Sequence, residues 1–161
     1  MRMPRFLRAA GIRRLAAVAA DAFGCAPGRI SDVDSFASFT AVQAEAALRG
    51  HHDTSEIERK LYRGARGLGS RLRFWLGVRG LRRAMAVARA VYRIIDIDFR
   101  GEARGSFQVT RCRFSSCYAP DVCRLMGSLD RGLLAGLTGG ARMTFTRRIT
   151  EGACCCEGVV R

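Results

Sequence analysis

Apolar residues recur at helical spacing through the first part of the chain. In the segment 8–23 they fall near one face, which includes Leu15, and the glycine-containing stretch 24–28 ends the pattern. A second helix is predicted over residues 36–48, where Gly50 ends the periodicity. The first 50 residues therefore predict two helices, and the small, alanine-rich face of the first implies modest burial.

A helix-capping signal comes next. Asp53 stands three residues before Glu56, the spacing at which two side chains satisfy free amides at a helix start. A third helix is therefore predicted to begin near Thr54. Glycines interrupt the region upstream of Gly80, so residues 74–76 (Phe-Trp-Leu) are predicted to form a separate short helix or a loop anchor. A strongly periodic helix follows Gly80.

The apolar period then changes from helical to alternating, which is typical of half-buried strands. The predicted order is strand 95–100, turn 101–105, strand 106–114, helix 120–137, strand 142–150 and strand 154–160. Because helices come first and strands later, the sequence predicts an α+β fold, in which N-terminal helices pack on one face of a C-terminal antiparallel sheet with one inserted helix. We expect a single domain over residues 1–161, with 1–24 as a loosely attached helix and 95–160 as a cysteine-rich sheet region.

Composition agrees with one folded domain, since 48% of the 161 residues are hydrophobic and only 3 are proline. No run of about 20 apolar residues occurs, so neither a membrane-spanning helix nor a membrane partner is expected. Residues 1–25 faintly resemble a lipoprotein export signal, but Asp21 interrupts an apolar stretch that is already short. Seven cysteines, an odd number, favour free thiols in a reducing compartment, and a cytoplasmic location is predicted.

The charge is strongly positive, at +14, and the segment 59–93 contains no acidic residue. Such a surface attracts anions in general. Aromatic residues within this segment are few and mostly at core-like spacing, so a solvated arginine face is favoured over nucleic-acid binding. The pair His51-His52 adjoins a helix cap, and we assign it no metal or base role.

Six of the seven cysteines lie between residues 112 and 156. Structural zinc sites use closer pairs than Cys112-x4-Cys117-x5-Cys123 provides, so no metal and no cofactor are predicted. In the predicted last strand, Cys154 and Cys156 would share one face. The remaining alternatives are buried thiols that pack as small hydrophobes, or a nucleophile.

Cys112 and Cys156 are the leading nucleophile candidates, because arginines that adjoin them in the sequence can lower a thiol pKa. Asp130 lies on the predicted helix between the strands. It is either a general base for water or a solvated carboxylate paired with a neighbouring arginine. Without context, the second interpretation of Asp130 is the commoner one.

The C-terminal block has a recognisable order. It contains Val109-Thr-Arg-Cys112, a helix carrying Asp130, the segment Arg147-Arg-Ile-Thr150 and Gly152-x3-Cys156. This order, over residues 95–160, resembles the L-2-amino-thiazoline-4-carboxylic acid hydrolase family. The chain departs from the family pattern in two places: Ala153 stands where an acidic residue follows the glycine, and the Gly127-Ser128 pair stands where a cysteine precedes the aspartate.

The resemblance implies hydrolytic opening of a thiazoline ring at its amidine-like carbon, giving a carbamoyl derivative of cysteine. It implies Cys112 or Cys156 as nucleophile, Asp130 as acid and base, and Arg111 or Arg147 as the clamp for a small-molecule carboxylate substrate. Two other hypotheses stay open. The chain also resembles vinyl-reductase-type domains that bind small molecules without catalysis, and its basic helices would suit an adaptor for an anionic partner.

Overall fold

The computed structural model describes residues 5–50 and 53–161. Within these ranges the helices are α1 (Arg5–Phe23), α2 (Val33–Arg49), α3 (Thr54–Trp75), α4 (Gly80–Ile94) and α5 (Pro120–Thr138), and the strands are β1 (Ile97–Gly101), β2 (Ser106–Cys112), β3 (Met143–Arg147) and β4 (Cys156–Val160). The strands form one antiparallel sheet in the order β1-β2-β4-β3. Four helices precede the sheet and α5 is inserted between its two hairpins, so the predicted α+β class is confirmed.

The core lies between the helices and one face of the sheet. Phe99 of β1 is fully buried and stacks on Tyr92 of α4, with ring centroids 4.8 Å apart, and on Phe107 of β2, at 5.6 Å. Phe145 of β3 meets Phe107 edge-on at 5.3 Å. Aromatic pairs of this geometry stabilise a core beyond their buried area. The row of rings thus joins α4 to the far edge of the sheet.

The long helix α3 packs against α5 through glycine. A Cβ atom on Gly69 would lie 2.3 Å from the carbonyl oxygen of Leu133, and one on Gly136 would lie 2.3 Å from the carbonyl oxygen of Arg66. The glycines therefore let the two helix backbones touch. The prediction that residues 74–76 form a separate element is wrong, because α3 continues unbroken to Trp75.

The last two strands are shorter than predicted. A single turn of 3-10 helix, Ile149–Glu151, and a left-handed Gly152 (φ 91°) link them, and β4 begins only at Cys156. The prediction that Cys154 and Cys156 share a strand face is therefore wrong: Cys154 lies in the connection and is exposed, whereas Cys156 is buried. Glycine tolerates the positive φ that this tight connection requires.

The N-terminal helices pack on the same core. α1 buries Ile12, Ala16 and Ala19, and its Arg8 forms an ion pair with Asp96 at 2.6 Å. α2 begins at an Asp32 cap, whose carboxylate accepts from the amide of the residue three positions on. Among the described helices, none has the length and apolar character needed to cross a membrane. The pair His51-His52 lies outside the described residues.

Candidate functional site

A partly open cavity of about 90 Å³ lies between the helices and the first hairpin. Its wall is mostly apolar and takes residues from α1, α2, α4, α5 and the β1–β2 hairpin. One ordered water needs roughly 10–15 Å³ of such space, so the cavity can hold a small molecule or several waters. Five side chains with polar groups also line it: Tyr92, Cys112, Tyr118, Cys123 and Asp130.

Asp130 is the one carboxylate of this wall. It retains some accessible surface, which borders the cavity, and the phenol of buried Tyr92 donates a hydrogen bond of 2.9 Å to its Oδ1. Burial raises the pKa of Asp130, although the Tyr92 hydrogen bond and the charges of Arg148 and Arg131 act in the opposite direction. A carboxylate with a raised pKa in an apolar cavity is suited to accept and return a proton.

Cys112, the last residue of β2, lies on the same wall. Burial raises the pKa of its thiol to about 12, and the negative charge of Asp130 adds to the rise. The thiol is therefore protonated near neutral pH. The sequence suggested that neighbouring arginines would activate this cysteine, but for Cys112 desolvation is the dominant effect.

Cys156 is buried behind the wall rather than on it. The amide of Ile149 donates to its Sγ at 3.3 Å. Burial raises the pKa of this thiol too, and the charges of Cys123 and Asp130 raise it further, whereas Arg148 lowers it. The three predicted catalytic residues thus interact electrostatically, but only Cys112 and Asp130 share the cavity.

The two predicted carboxylate-binding residues lie elsewhere. Arg111 is exposed on β2, where its charge acts on Asp98 in the opposite strand. Arg147 is exposed on β3, with its Nε 4.0 Å from a carboxylate oxygen of Glu157. The structure brings neither of them to the cavity.

Arg148 is a buried cation next to the cavity wall, which sequence reasoning did not assign to the site. Arg148 is only 8% exposed, and its guanidinium stacks 4.0 Å above the ring of Phe145. Its Nη1 donates hydrogen bonds to Cys123, at 3.4 Å to the carbonyl oxygen and 3.5 Å to Sγ. A bulge in the β3–β4 pairing precedes it. The irregular strand end explains why alternation along the sequence could not place this residue.

Gly127 makes room for that guanidinium. A Cβ at this position would lie 3.0 Å from Nη2 of Arg148. Cys123, Gly127 and Asp130 follow one another at helical spacing on α5, and all three line the cavity. The available signal in the sequence was this glycine, one turn before Asp130 on α5.

The described parts of the chain contain no cluster of three or more His, Cys, Asp or Glu side chains able to hold a metal ion. No protein-family model matches the sequence, and no curated protein matches it either. The geometry of the cavity therefore carries the functional argument.

Proposed function

We propose that this protein is a hydrolase that opens the ring of a 2-amino-thiazoline-4-carboxylate-like substrate to give a carbamoyl-cysteine product. The observation that carries the proposal is the placement of Asp130, with its raised pKa, and Cys112 on one mostly apolar cavity. The arrangement offers an acid–base group and a protonated thiol on the wall of a mostly apolar cavity. In such surroundings, charge that develops on a bound ring would interact strongly with these two side chains.

The reaction assigned to the cavity is addition of water followed by ring opening. Ionised Asp130 takes a proton from water while the water oxygen forms a bond to the amidine carbon of the ring. The carbon–nitrogen double bond opens, its electron pair goes to the ring nitrogen, and protonated Asp130 gives its proton to that nitrogen. Asp130 then takes the remaining proton of the added hydroxyl as the carbon–oxygen double bond forms. The carbon–sulfur bond breaks with its electron pair going to sulfur, and protonated Asp130 passes this second proton to the sulfur. The carbon becomes the carbonyl of the carbamoyl group, so one water is consumed and nothing is oxidised. Tyr92 holds the carboxylate in place through its hydrogen bond.

Cys112 is assigned to substrate binding rather than to nucleophilic attack. A thiol whose pKa is raised to about 12 is almost entirely protonated at neutral pH, and the thiolate is the nucleophilic form. As a weak S–H donor on the cavity wall, it can contact a ring heteroatom. Cys156, which contacts the Ile149 amide behind the wall, supports the position of neighbouring Arg148.

Arg148 is proposed to bind the substrate carboxylate, in place of Arg111 or Arg147. Arg148 does not line the cavity itself, but it contacts Cys123 and packs against Gly127, both of which belong to the cavity wall. It also borders an open groove that Arg124, Arg131 and Arg147 line. A guanidinium in this position can present paired donors to a carboxylate.

The test is turnover of 2-amino-thiazoline-4-carboxylate by purified protein, with the carbamoyl product identified by mass spectrometry. In ¹⁸O-labelled water the label is expected in the carbamoyl oxygen. Asp130→Asn is expected to lower kcat by a factor on the order of 10² to 10⁴, the usual loss when a general base is removed. Asp121→Asn, an exposed carboxylate on the same helix, is the matched control. Full activity in Asp130→Asn would overturn the acid–base assignment.

A second candidate function is binding of a small apolar molecule without catalysis, as in vinyl-reductase-type domains. The apolar wall and the protonated thiols favour it. Calorimetric binding of a cyclic ligand that is recovered unchanged, with no product after prolonged incubation, would select this function over the hydrolase.

A further inference from the structure

The C-terminal end of α3 exposes three consecutive large apolar side chains. Phe74 and Trp75 are each 80% exposed and Leu76 is 55% exposed. The rings of Phe74 and Trp75 meet edge-on, with centroids 6.0 Å apart, so the three side chains form a continuous patch. Contiguous exposed apolar surface of this kind usually marks an interaction site.

Backbone hydrogen bonds at the end of α3 fix the position of this patch. The amides of Leu76 and Val78 donate to the carbonyl oxygens of Leu72 and Arg73, at 3.0 and 2.9 Å, which continues the hydrogen bonding of α3 past its last residue. Val78 then returns into the core, where it is 4% exposed. The apolar side chains are thus presented outward by a helix end that is anchored on both sides.

Arginines flank the patch on both sides along the chain. Five of them are exposed within nine residues of it, namely Arg71, Arg73, Arg79, Arg82 and Arg83. Arg83 donates to the carbonyl oxygen of Gly77, which places its guanidinium against the turn that follows the patch. Within the described residues, none of these five arginines forms a salt bridge. We call the three apolar residues with these five arginines the basic aromatic tip.

We propose that the basic aromatic tip docks on the surface of an anionic lipid bilayer. A bilayer interface offers an apolar phase and a layer of phosphate groups a few ångströms apart, which matches a tryptophan and a phenylalanine flanked along the chain by arginines. Docking at a surface requires no spanning helix. This inference uses residues outside the cavity and stands independently of the proposed hydrolase activity.

The chemistry of the tip favours a bilayer over the other possible occupants. A second copy of the chain would bring two arginine-rich tips of like charge together, which opposes self-association. Single-stranded nucleic acid is bound by rings that each stack on a base, whereas Phe74 and Trp75 pack edge-on to each other. Leu76 has no aromatic face, yet it fits an acyl environment.

Trp75 is the only tryptophan in the chain, so its fluorescence reports directly on the tip. Vesicles of phosphatidylcholine alone and vesicles that also contain phosphatidylglycerol are the probes. We expect a blue shift of Trp75 emission, and co-sedimentation of the protein, with the anionic vesicles only, and a weakening of both as salt is raised.

Variants of the basic aromatic tip separate the apolar contribution to vesicle binding from the electrostatic one. Phe74→Ser is expected to lower vesicle partitioning about tenfold, since a large apolar anchor is lost. The double variant R79Q/R82Q is expected to lower it roughly fivefold for each arginine removed. Matched controls are Val42→Ser, an exposed apolar residue on α2, and R13Q/R14Q, an exposed arginine pair on α1. Both controls should partition like the parent protein.

Several outcomes would overturn the proposal. They are unchanged Trp75 emission with anionic vesicles, equal losses in the tip and control variants, emission that changes with protein concentration because the chain self-associates, or quenching by single-stranded RNA without any response to vesicles. Ring-opening activity measured on the same preparations keeps this result separate from the function of the cavity.

Discussion

The guanidinium of Arg148 lies against the bare backbone of Gly127, one turn before Asp130. Because Gly127 has no side chain, a buried cation can sit beside α5 and lower the pKa of the Asp130 carboxyl, partly offsetting the rise caused by burial. Cys123, one turn earlier on the helix, places its sulfur 3.5 Å from the same guanidinium.

We predict that Gly127→Leu displaces Arg148 from its position. Even a Cβ at residue 127 would lie 3.0 Å from Nη2, so a leucine side chain and the guanidinium cannot both occupy the site. The expected result is a rise in KM for a carboxylate substrate, with a loss of roughly 1–3 kcal/mol in stability from overpacking. Kinetics and urea unfolding measure the two effects.

The control for this variant is Gly67→Leu, because a Cβ on Gly67 meets nothing within 4 Å. Stability there should hold or improve, since leucine is the better helix former. If Gly127→Leu left both KM and stability at their parent values, Arg148 would not depend on the glycine.

The close contact between α3 and α5 gives a second prediction, built on two glycines two residues apart. Gly67→Ala is expected to stabilise the protein by about 0.5–1 kcal/mol, because Gly67 is an exposed helix position with open space around it. Gly69→Ala is expected to destabilise it, by about 1–3 kcal/mol, because the new Cβ would lie 2.3 Å from the carbonyl oxygen of Leu133. Thermal unfolding of the two variants beside the parent checks the opposite signs. Equal shifts would contradict the backbone contact.

The α+β class could be predicted because local pattern and fold agree over most of the chain. The change from helical to alternating period marks β1, and the Asp53 cap marks the start of α3. Glycines in α3 misled the prediction. In a single sequence, a glycine that ends a helix and a glycine that lets two helices touch look the same, and only the Leu133 carbonyl opposite Gly69 distinguishes them.

The residues of the candidate site could be predicted only in part, because regular spacing along the sequence does not hold throughout the sheet. Sequence order identified Cys112 and Asp130, which the fold brings to one cavity. The resemblance implied Arg111 or Arg147 as the carboxylate clamp, whereas the arginine buried beside the cavity wall is Arg148. The bulge beside Phe145 changes which residue turns inward. Spacing along a strand determines side-chain direction only while the pairing stays regular.

The pKa of Asp130 predicts how stability depends on pH. Because burial raises this pKa in the folded state, the contribution of Asp130 is fully present below the ordinary aspartate value of about 4 and is lost as pH rises through the higher, folded value. Asp130→Asn removes that loss. The variant should therefore gain stability relative to the parent as pH rises through this window. Tyr92→Phe removes a hydrogen bond that lowers the pKa, so the loss should extend to higher pH.

Urea unfolding over a series of pH values measures these differences. Asp121→Asn gives the effect of losing an exposed carboxylate on the same helix, and Tyr62→Phe gives the effect of losing a half-buried phenol on α3. A stability difference between parent and Asp130→Asn that did not change with pH would show that Asp130 has its ordinary pKa.

The last prediction concerns the reactivity of Cys112. With its pKa raised to about 12, only about one thiol in 10⁴ is ionised at pH 8, so alkylation by iodoacetamide should be far slower at Cys112 than at exposed Cys154. The rate at Cys112 should keep rising with pH beyond 10. Because folding raises the pKa of this thiol, its contribution to stability is fully present below the ordinary thiol value of about 8.5 and is lost as pH rises through the folded value. Peptide mass spectrometry of partly alkylated protein measures each site, and denaturant should equalise them. A rate at Cys112 that levels off below pH 9 would instead identify an activated thiolate and return the cysteine to the role of nucleophile.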